Sequence, residues 1–133
     1  MQRLPFIYVA ESPLGGRGVF TSEIIPIGTL IEIAPVIVLP ADDLKLIHAH
    51  TVLHDYYFVW SDDGTEGALA LGYGSLYNHS YAPNSEYYTN LDSMTIDVFA
   101  IVDIEAGAEI TFNYNGMAED STLVWFDDPD YKR

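Results

Sequence analysis

Apolar residues in this chain come in short runs, and nearly every run is closed within a few positions by Gly, Pro or Asp. That punctuation constrains the fold more than any other feature. A helix needs an apolar stripe sustained over several turns, whereas a strand is complete within a few residues. Phe6–Val9 and Arg17–Thr21 read as strands around a Gly15-Gly16 turn. Thr29–Ile33 follows a loop marked by Pro26 and Gly28, and Pro35–Leu39 continues extended until Pro40 stops it. Tyr56–Trp60 and Gly67–Leu71 flank Asp62-Asp63-Gly64 as one predicted hairpin, and Tyr87–Asn90 and Met94–Ile101 flank Leu91-Asp92-Ser93 as another. Ile104–Gly107 reads as a turn leading into a strand over Glu109–Phe112. The best helix candidate is Ala41–Ile47, where Pro40 precedes the first turn and Asp42 and Asp43 suit the positive end of the helix dipole. It is too short to stand without tertiary packing. The pattern predicts a mainly β fold of small sheets with little helix.

At 133 residues the chain has room for one continuous core and not for two. No apolar run approaches the roughly 20 residues that cross a bilayer. The N-terminus carries one basic residue and a strand-like stretch, not a leader, so the expected location is cytoplasmic. Cysteine is absent, which excludes disulfides, thiolate metal sites and a Cys nucleophile. Five basic against 20 acidic residues leave a formal charge of −15. A field of that sign repels nucleic acid and anionic membranes and attracts basic partners; solubility alone explains it equally well.

Several residue groups hint at chemistry. Gly16-Arg17-Gly18 lacks the third glycine of a dinucleotide loop, since Thr21 stands there and the following run is β-like. Asn78-His79-Ser80 is, by itself, a polar turn with local hydrogen bonders. His48, His50 and His54 crowd beside Asp55; His50 and His54 would converge on a metal only if one helix carried both, and no metal site is expected. The aromatics Tyr56, Tyr57, Phe58, Trp60, Tyr77, Phe112, Trp125 and Phe126 serve either a core or the walls of a narrow channel.

Taken in order, Gly16-Arg17-Gly18-Val19-Phe20, Tyr77-Asn78-His79-Ser80-Tyr81-Ala82-Pro83-Asn84 and Glu109-Ile110-Thr111-Phe112-Asn113-Tyr114 resemble the SET domain family of protein-lysine methyltransferases. The similarity runs from Gly15 to about Asn115. It implies a SET domain (β-clip) over residues 1–133, several small sheets, a C-terminal pseudoknot, and a tail over 115–133 that packs as a substitute post-SET lid through Trp125 and Phe126. It implies S-adenosylmethionine as cofactor, with Gly16, Arg17 and Gly18 along it. Asn78 would hold the methionine part, His79 the adenine through its main chain, and Pro83 and Asn84 would fix the loop. Tyr114 would be catalytic and also touch the cofactor. Tyr57, Tyr77, Phe112 and Trp125 would line the substrate channel, and a Phe at 112, without a hydroxyl, would leave space for a methylated amine. The implied partner is a basic protein or peptide, histone-like or ribosomal, met by a monomer or a homodimer.

The sequence departs from the family at Tyr81, where Cys is frequent, at Tyr73 and Leu76, where Asn and Arg are common, and at Asn113, where Asp is usual. Cysteine-rich flanking zinc segments are missing, as in the compact stand-alone members of bacteria or viruses. A non-catalytic module that binds a basic peptide stays open beside the enzyme.

Overall fold

The computed structural model describes residues 2–131. Its strands are β1 (Ile7–Glu11), β2 (Arg17–Thr21), β3 (Leu30–Leu39), β4 (Tyr57–Val59), β5 (Gly67–Ala70), β6 (Asn78–His79), β7 (Ser85–Asn90), β8 (Thr95–Ala100) and β9 (Glu109–Phe112). They form a four-stranded sheet, β1-β2-β9-β6, and a five-stranded one, β4-β5-β3-β8-β7. Pairing is antiparallel throughout except between β6 and β9. Both predicted hairpins form, as β4–β5 and β7–β8.

The extended run read over Thr29–Ile33 and continued through Pro35–Leu39 is one strand, β3. Its first half, Leu30–Pro35, pairs with β8, and its second half, Val36–Leu39, pairs with β5. Pro35, which has no N–H to give, sits where the strand changes partner, and its carbonyl accepts from Leu71 N at 2.8 Å. A proline is tolerable there because the ladder is interrupted anyway. Met94 belongs to the turn and not to β8: its φ of 57° is left-handed backbone.

The helix α1 extends beyond the expected end, over Ala41–His50. Thr51 terminates it in an extended conformation; its hydroxyl donates to Ile47 O at 2.7 Å and accepts from Leu53 N, opening a 3₁₀ turn over Val52–Asp55. Leu44 is the one buried side chain of α1, and a Cβ on Gly67 of β5 would lie 2.8 Å from it. Bare backbone at Gly67 is what lets the helix dock.

The core is largely β-branched and comes from both sheets, with Val19 and Ile110 from the smaller and Ile31, Ile96 and Val98 from the larger. Ile25 and Ile104 join it from loops that bond each other main chain to main chain at 2.8 Å in both directions. Beyond β9 the chain folds back along the domain. Asn113, 1% exposed, donates to the carbonyls of Asp120 at 2.6 Å and Ala118 at 3.4 Å, and Val124 is buried.

Candidate active site

The Asn78–Asn84 loop and β9 lie side by side because Asn84 imitates a strand. Its amide donates to Glu109 O at 2.8 Å and accepts from Thr111 N at 3.0 Å, the pair of bonds a neighbouring peptide would make. Ser85 Oγ adds a bond to Thr111 O at 2.7 Å. Ser80 N donates to Phe112 O, so in the parallel pairing with β9 the residue before it, His79, turns its main-chain N–H and C=O to the outer edge of the sheet.

The Asn78 side chain works inward. Its Nδ2 donates to Glu109 Oε2 at 2.7 Å and to Arg17 O at 3.1 Å, fastening the Gly15–Arg17 turn to β9. Ser12 Oγ donates to the other Glu109 oxygen at 2.6 Å. Gly18 is buried beneath this cluster. A Cβ there would collide with the Glu109 carboxylate and come within 2.8 Å of Asn78 Nδ2. The bare backbone of Gly18 makes room for the side chains of Glu109 and Asn78.

His79 Nδ1 accepts from Tyr114 N at 2.9 Å, so the hydrogen of the neutral ring sits on Nε2. That atom is buried, with no hydrogen-bond partner among the described residues, beside the rings of Tyr81, Tyr114 and Phe126. Burial lowers the His79 pKa, and the Asp127 carboxylate opposes the shift.

Tyr114 Oη donates to Tyr77 O at 2.6 Å. Burial, reinforced by Tyr56, Glu109 and Asp55, pushes the phenol's pKa well up, so the group is a neutral hydroxyl at any physiological pH. Trp125 stacks on the Tyr114 ring, with centroids 5.7 Å apart and planes at 16°, and its Nε1 donates to Asp55 Oδ1 at 3.0 Å.

Two cavities meet at this tyrosine. One, about 620 Å³, is a polar cleft bordered by Gly16, Arg17, Asn78, His79, Tyr81 and Phe126. The other, about 310 Å³, is walled by Tyr57, Phe58, Tyr77, Tyr87 and Phe112. Asp55, Tyr56, Ser75, Tyr114 and Trp125 border both. The sequence-named residues thus divide between the two spaces, with Gly18 beneath rather than in the wall. Tyr56 was among the aromatics named for a channel; Asp55 and Ser75 went unnamed as site residues, as did Glu109 as an anchor. Glu109 had a signal, its place in Glu-x-x-x-x-Tyr; Asp55 had none beyond adjacency to a histidine.

His50 and His54 do not share a helix, since Thr51 breaks the chain between them. His48 is bonded by Tyr57 Oη at 2.9 Å and Tyr131 Oη at 3.3 Å, and His54 by Thr51 O and Asp55. Among the described residues no three His, Asp or Glu side chains converge as a metal site.

A polar cleft and an aromatic channel that share one neutral tyrosine are an arrangement suited to group transfer, with room for a cofactor on one side and a slender apolar-stemmed substrate on the other. Residues 16–115 match the SET domain family. The chain belongs to that family and is a protein-lysine N-methyltransferase that uses S-adenosylmethionine. It is 35% identical over 120 residues to the histone-lysine N-methyltransferase, H3 lysine-37 specific, of Schizosaccharomyces pombe, covering 90% of this chain and 76% of the relative. A solved Plasmodium falciparum structure, assigned to the histone methyltransferases, superposes with a TM-score of 0.63 at 32% identity over 86% of this chain and 95% of that one. The fold is also that of the Neurospora SET domain protein DIM-5, a histone lysine methyltransferase (TM-score 0.69, 20% identity, 92% of this chain and 57% of that one).

The cleft fits the cofactor's chemistry. The outward-turned main chain of His79 leaves a donor and an acceptor of the kind an adenine edge would need, and Asp55 borders both cavities. Two departures from the family pattern also find their reason. Asn113 supplies an NH₂ that holds the tail's carbonyls, which an Asp has no hydrogens to do. Tyr81, in place of Cys, donates to Asp127 Oδ2 at 2.9 Å and accepts from Val124 N at 3.1 Å, so the tail is tied by hydrogen bonds.

Proposed function

We propose that this enzyme methylates a lysine in a basic tail of the histone type, with Tyr114 orienting the amine at the junction of the two cavities. The observation that carries the reading is the commitment of the Tyr114 proton to Tyr77 O, which leaves the hydroxyl's lone pairs turned to the junction. When bound, S-adenosylmethionine supplies an electrophilic methyl group on a sulfonium.

A lysine amine with a pKa near 10.4 must lose a proton first, at a cost of roughly 4–5 kcal/mol at neutral pH. The aromatic walls of Tyr57, Phe58, Tyr77 and Phe112 exclude water and favour the neutral amine. Tyr114 cannot serve as the base, because its own pKa is raised and it holds its proton. Its oxygen accepts an N–H from the amine, aiming the nitrogen lone pair, while the shed proton leaves to solvent water. Phe112, packed among Tyr77, Tyr87 and Phe58, brings no hydroxyl to bind a water there, which favours an amine already carrying methyl groups. Trp125 and Phe126 act as the lid over the junction. Asn78 orders the Gly15–Arg17 side of the cofactor cleft.

The substrate class rests on charge and kinship. The surplus of 15 negative charges draws a lysine- and arginine-rich segment, and the S. pombe relative is described as acting on histone H3. A radiolabel assay with a histone-tail peptide and a charge-neutral peptide of the same length tests this. The expected result is transfer to the basic peptide with a KM that climbs with salt. Equal use of both peptides would contradict the basic-tail assignment.

A further inference from the structure

We propose that Glu32 is a positioning residue for Tyr114, acting through the turn that ends at Tyr77. Glu32 lies in β3 and is 2% exposed, a carboxylate in the middle of the apolar run Ile31-Glu32-Ile33. Burying a charge costs several kcal/mol unless each oxygen is engaged. Here Tyr77 Oη donates to Oε1 at 2.7 Å, Tyr73 N donates to Oε2 at 2.9 Å, and Arg3 Nη1 lies 3.7 Å from Oε2. Arg3 in turn caps the Tyr73 ring at 3.9 Å. The backbone is shaped around the group: Gly72 has φ +61°, and a Cβ there would strike the Glu32 carboxylate.

Tyr73 and Tyr77 flank the 3₁₀ turn Gly74–Leu76. One carboxylate therefore grips the turn at both ends, by the main chain of Tyr73 and the side chain of Tyr77. The turn delivers two things to the junction. Its Ser75 Oγ donates to Tyr56 O at 2.9 Å, and the carbonyl of Tyr77 takes the Tyr114 hydroxyl proton. Glu32 never reaches either cavity that meets at Tyr114. Its action is to fix the acceptor that fixes the hydroxyl, so the chain runs Glu32, Tyr77, Tyr114. Loss of the grip frees the turn, and the Tyr114 lone pairs lose their aim while the cofactor cleft keeps its walls.

The effect on rate rests on the methyl-transfer reading above; the effect on the hydroxyl does not. Glu32→Gln and Tyr77→Phe, both close in shape to the native side chains, are compared with the wild type in the full chain. Expected in both is a kcat lower by about tenfold with calorimetric affinity for S-adenosylhomocysteine unchanged; peptide KM is unchanged in Glu32→Gln, whose side chain lies outside the channel. In a Tyr114→Phe background, Glu32→Gln produces no further loss. By proton NMR the Tyr114 hydroxyl, assigned by its disappearance in Tyr114→Phe, exchanges slowly in the wild type and fast in both variants. An unchanged kcat, an equal rate loss with and without the Tyr114 hydroxyl, or cofactor affinity falling in step with rate would overturn the proposal. Should the wild type transfer no methyl group at all, the reaction assignment fails, and a slow hydroxyl persisting in Glu32→Gln overturns the positioning role separately.

Discussion

The main-chain N–H of Tyr114 donates to the Nδ1 of His79 at 2.9 Å, a bond that exists only while that nitrogen is unprotonated. Burial already lowers the His79 pKa below its ordinary 6.5. Between the lowered and the ordinary value the unfolded chain binds the proton and the folded chain does not, so folding stability rises with pH across that window. The contribution is complete above pH 6.5 and disappears as pH falls through the folded-state value. His79→Asn keeps an acceptor near Nδ1 and removes the titration. Urea unfolding from pH 7.5 down to 5 is expected to show wild-type stability falling faster than that of His79→Asn; parallel curves would contradict the assignment.

Gly18→Ala places a methyl group against the Glu109 carboxylate and Asn78 Nδ2. Neither group has spare room, since each is bonded to the other and to the chain around it. Chemical denaturation is expected to show a loss of about 1–3 kcal/mol, and calorimetry a weaker affinity for S-adenosylhomocysteine. Unchanged values of both would mean that the cluster shifts freely.

Asn113→Asp restores the residue common in the family, yet here it is expected to damage. The variant loses the two N–H bonds to Asp120 O and Ala118 O and sets a buried carboxylate against two carbonyls. A loss of about 1–3 kcal/mol and faster amide exchange over residues 118–126 are the expected readings. Wild-type exchange in that segment would show that the tail is held by something else.

Trp125 joins the tail to the junction twice, by stacking on Tyr114 and by its bond to Asp55. Trp125→Phe retains the first and loses the second; Trp125→Ala loses both. Peptide KM is expected to rise in that order, by roughly tenfold in the alanine variant. Identical KM values in all three proteins would remove the tail from the substrate site.

Much of this was legible in the residues, because the strands are short and their ends are marked. The turn chemistry of Asp62-Asp63-Gly64 and Leu91-Asp92-Ser93 located both hairpins, and the order of three motifs identified the family. What stayed hidden depended on long-range geometry. The extended run through Pro35 was legible, but only the fold shows that β3 changes partner there from β8 to β5. Gly18 was singled out for the cofactor loop, but its contact with Glu109 was hidden, because the two lie 91 positions apart in sequence and side by side in space. Glu32 was not singled out within Thr29–Ile33; only the fold brings Tyr73 and Tyr77 onto its two oxygens. Asp55 and Ser75 reached the junction through 3₁₀ turns, and turns of that kind leave no periodic trace.

The most direct test is methyl transfer by the full chain from labelled S-adenosylmethionine to a histone-tail peptide, run beside Tyr114→Phe. The hydroxyl of Tyr114 is held by Tyr77 O in the wall shared by both cavities, so the wild type is expected to label lysine and the variant to fall by about a hundredfold or more while S-adenosylhomocysteine binding persists. Equal labelling by the two proteins would contradict the placement of catalysis at Tyr114.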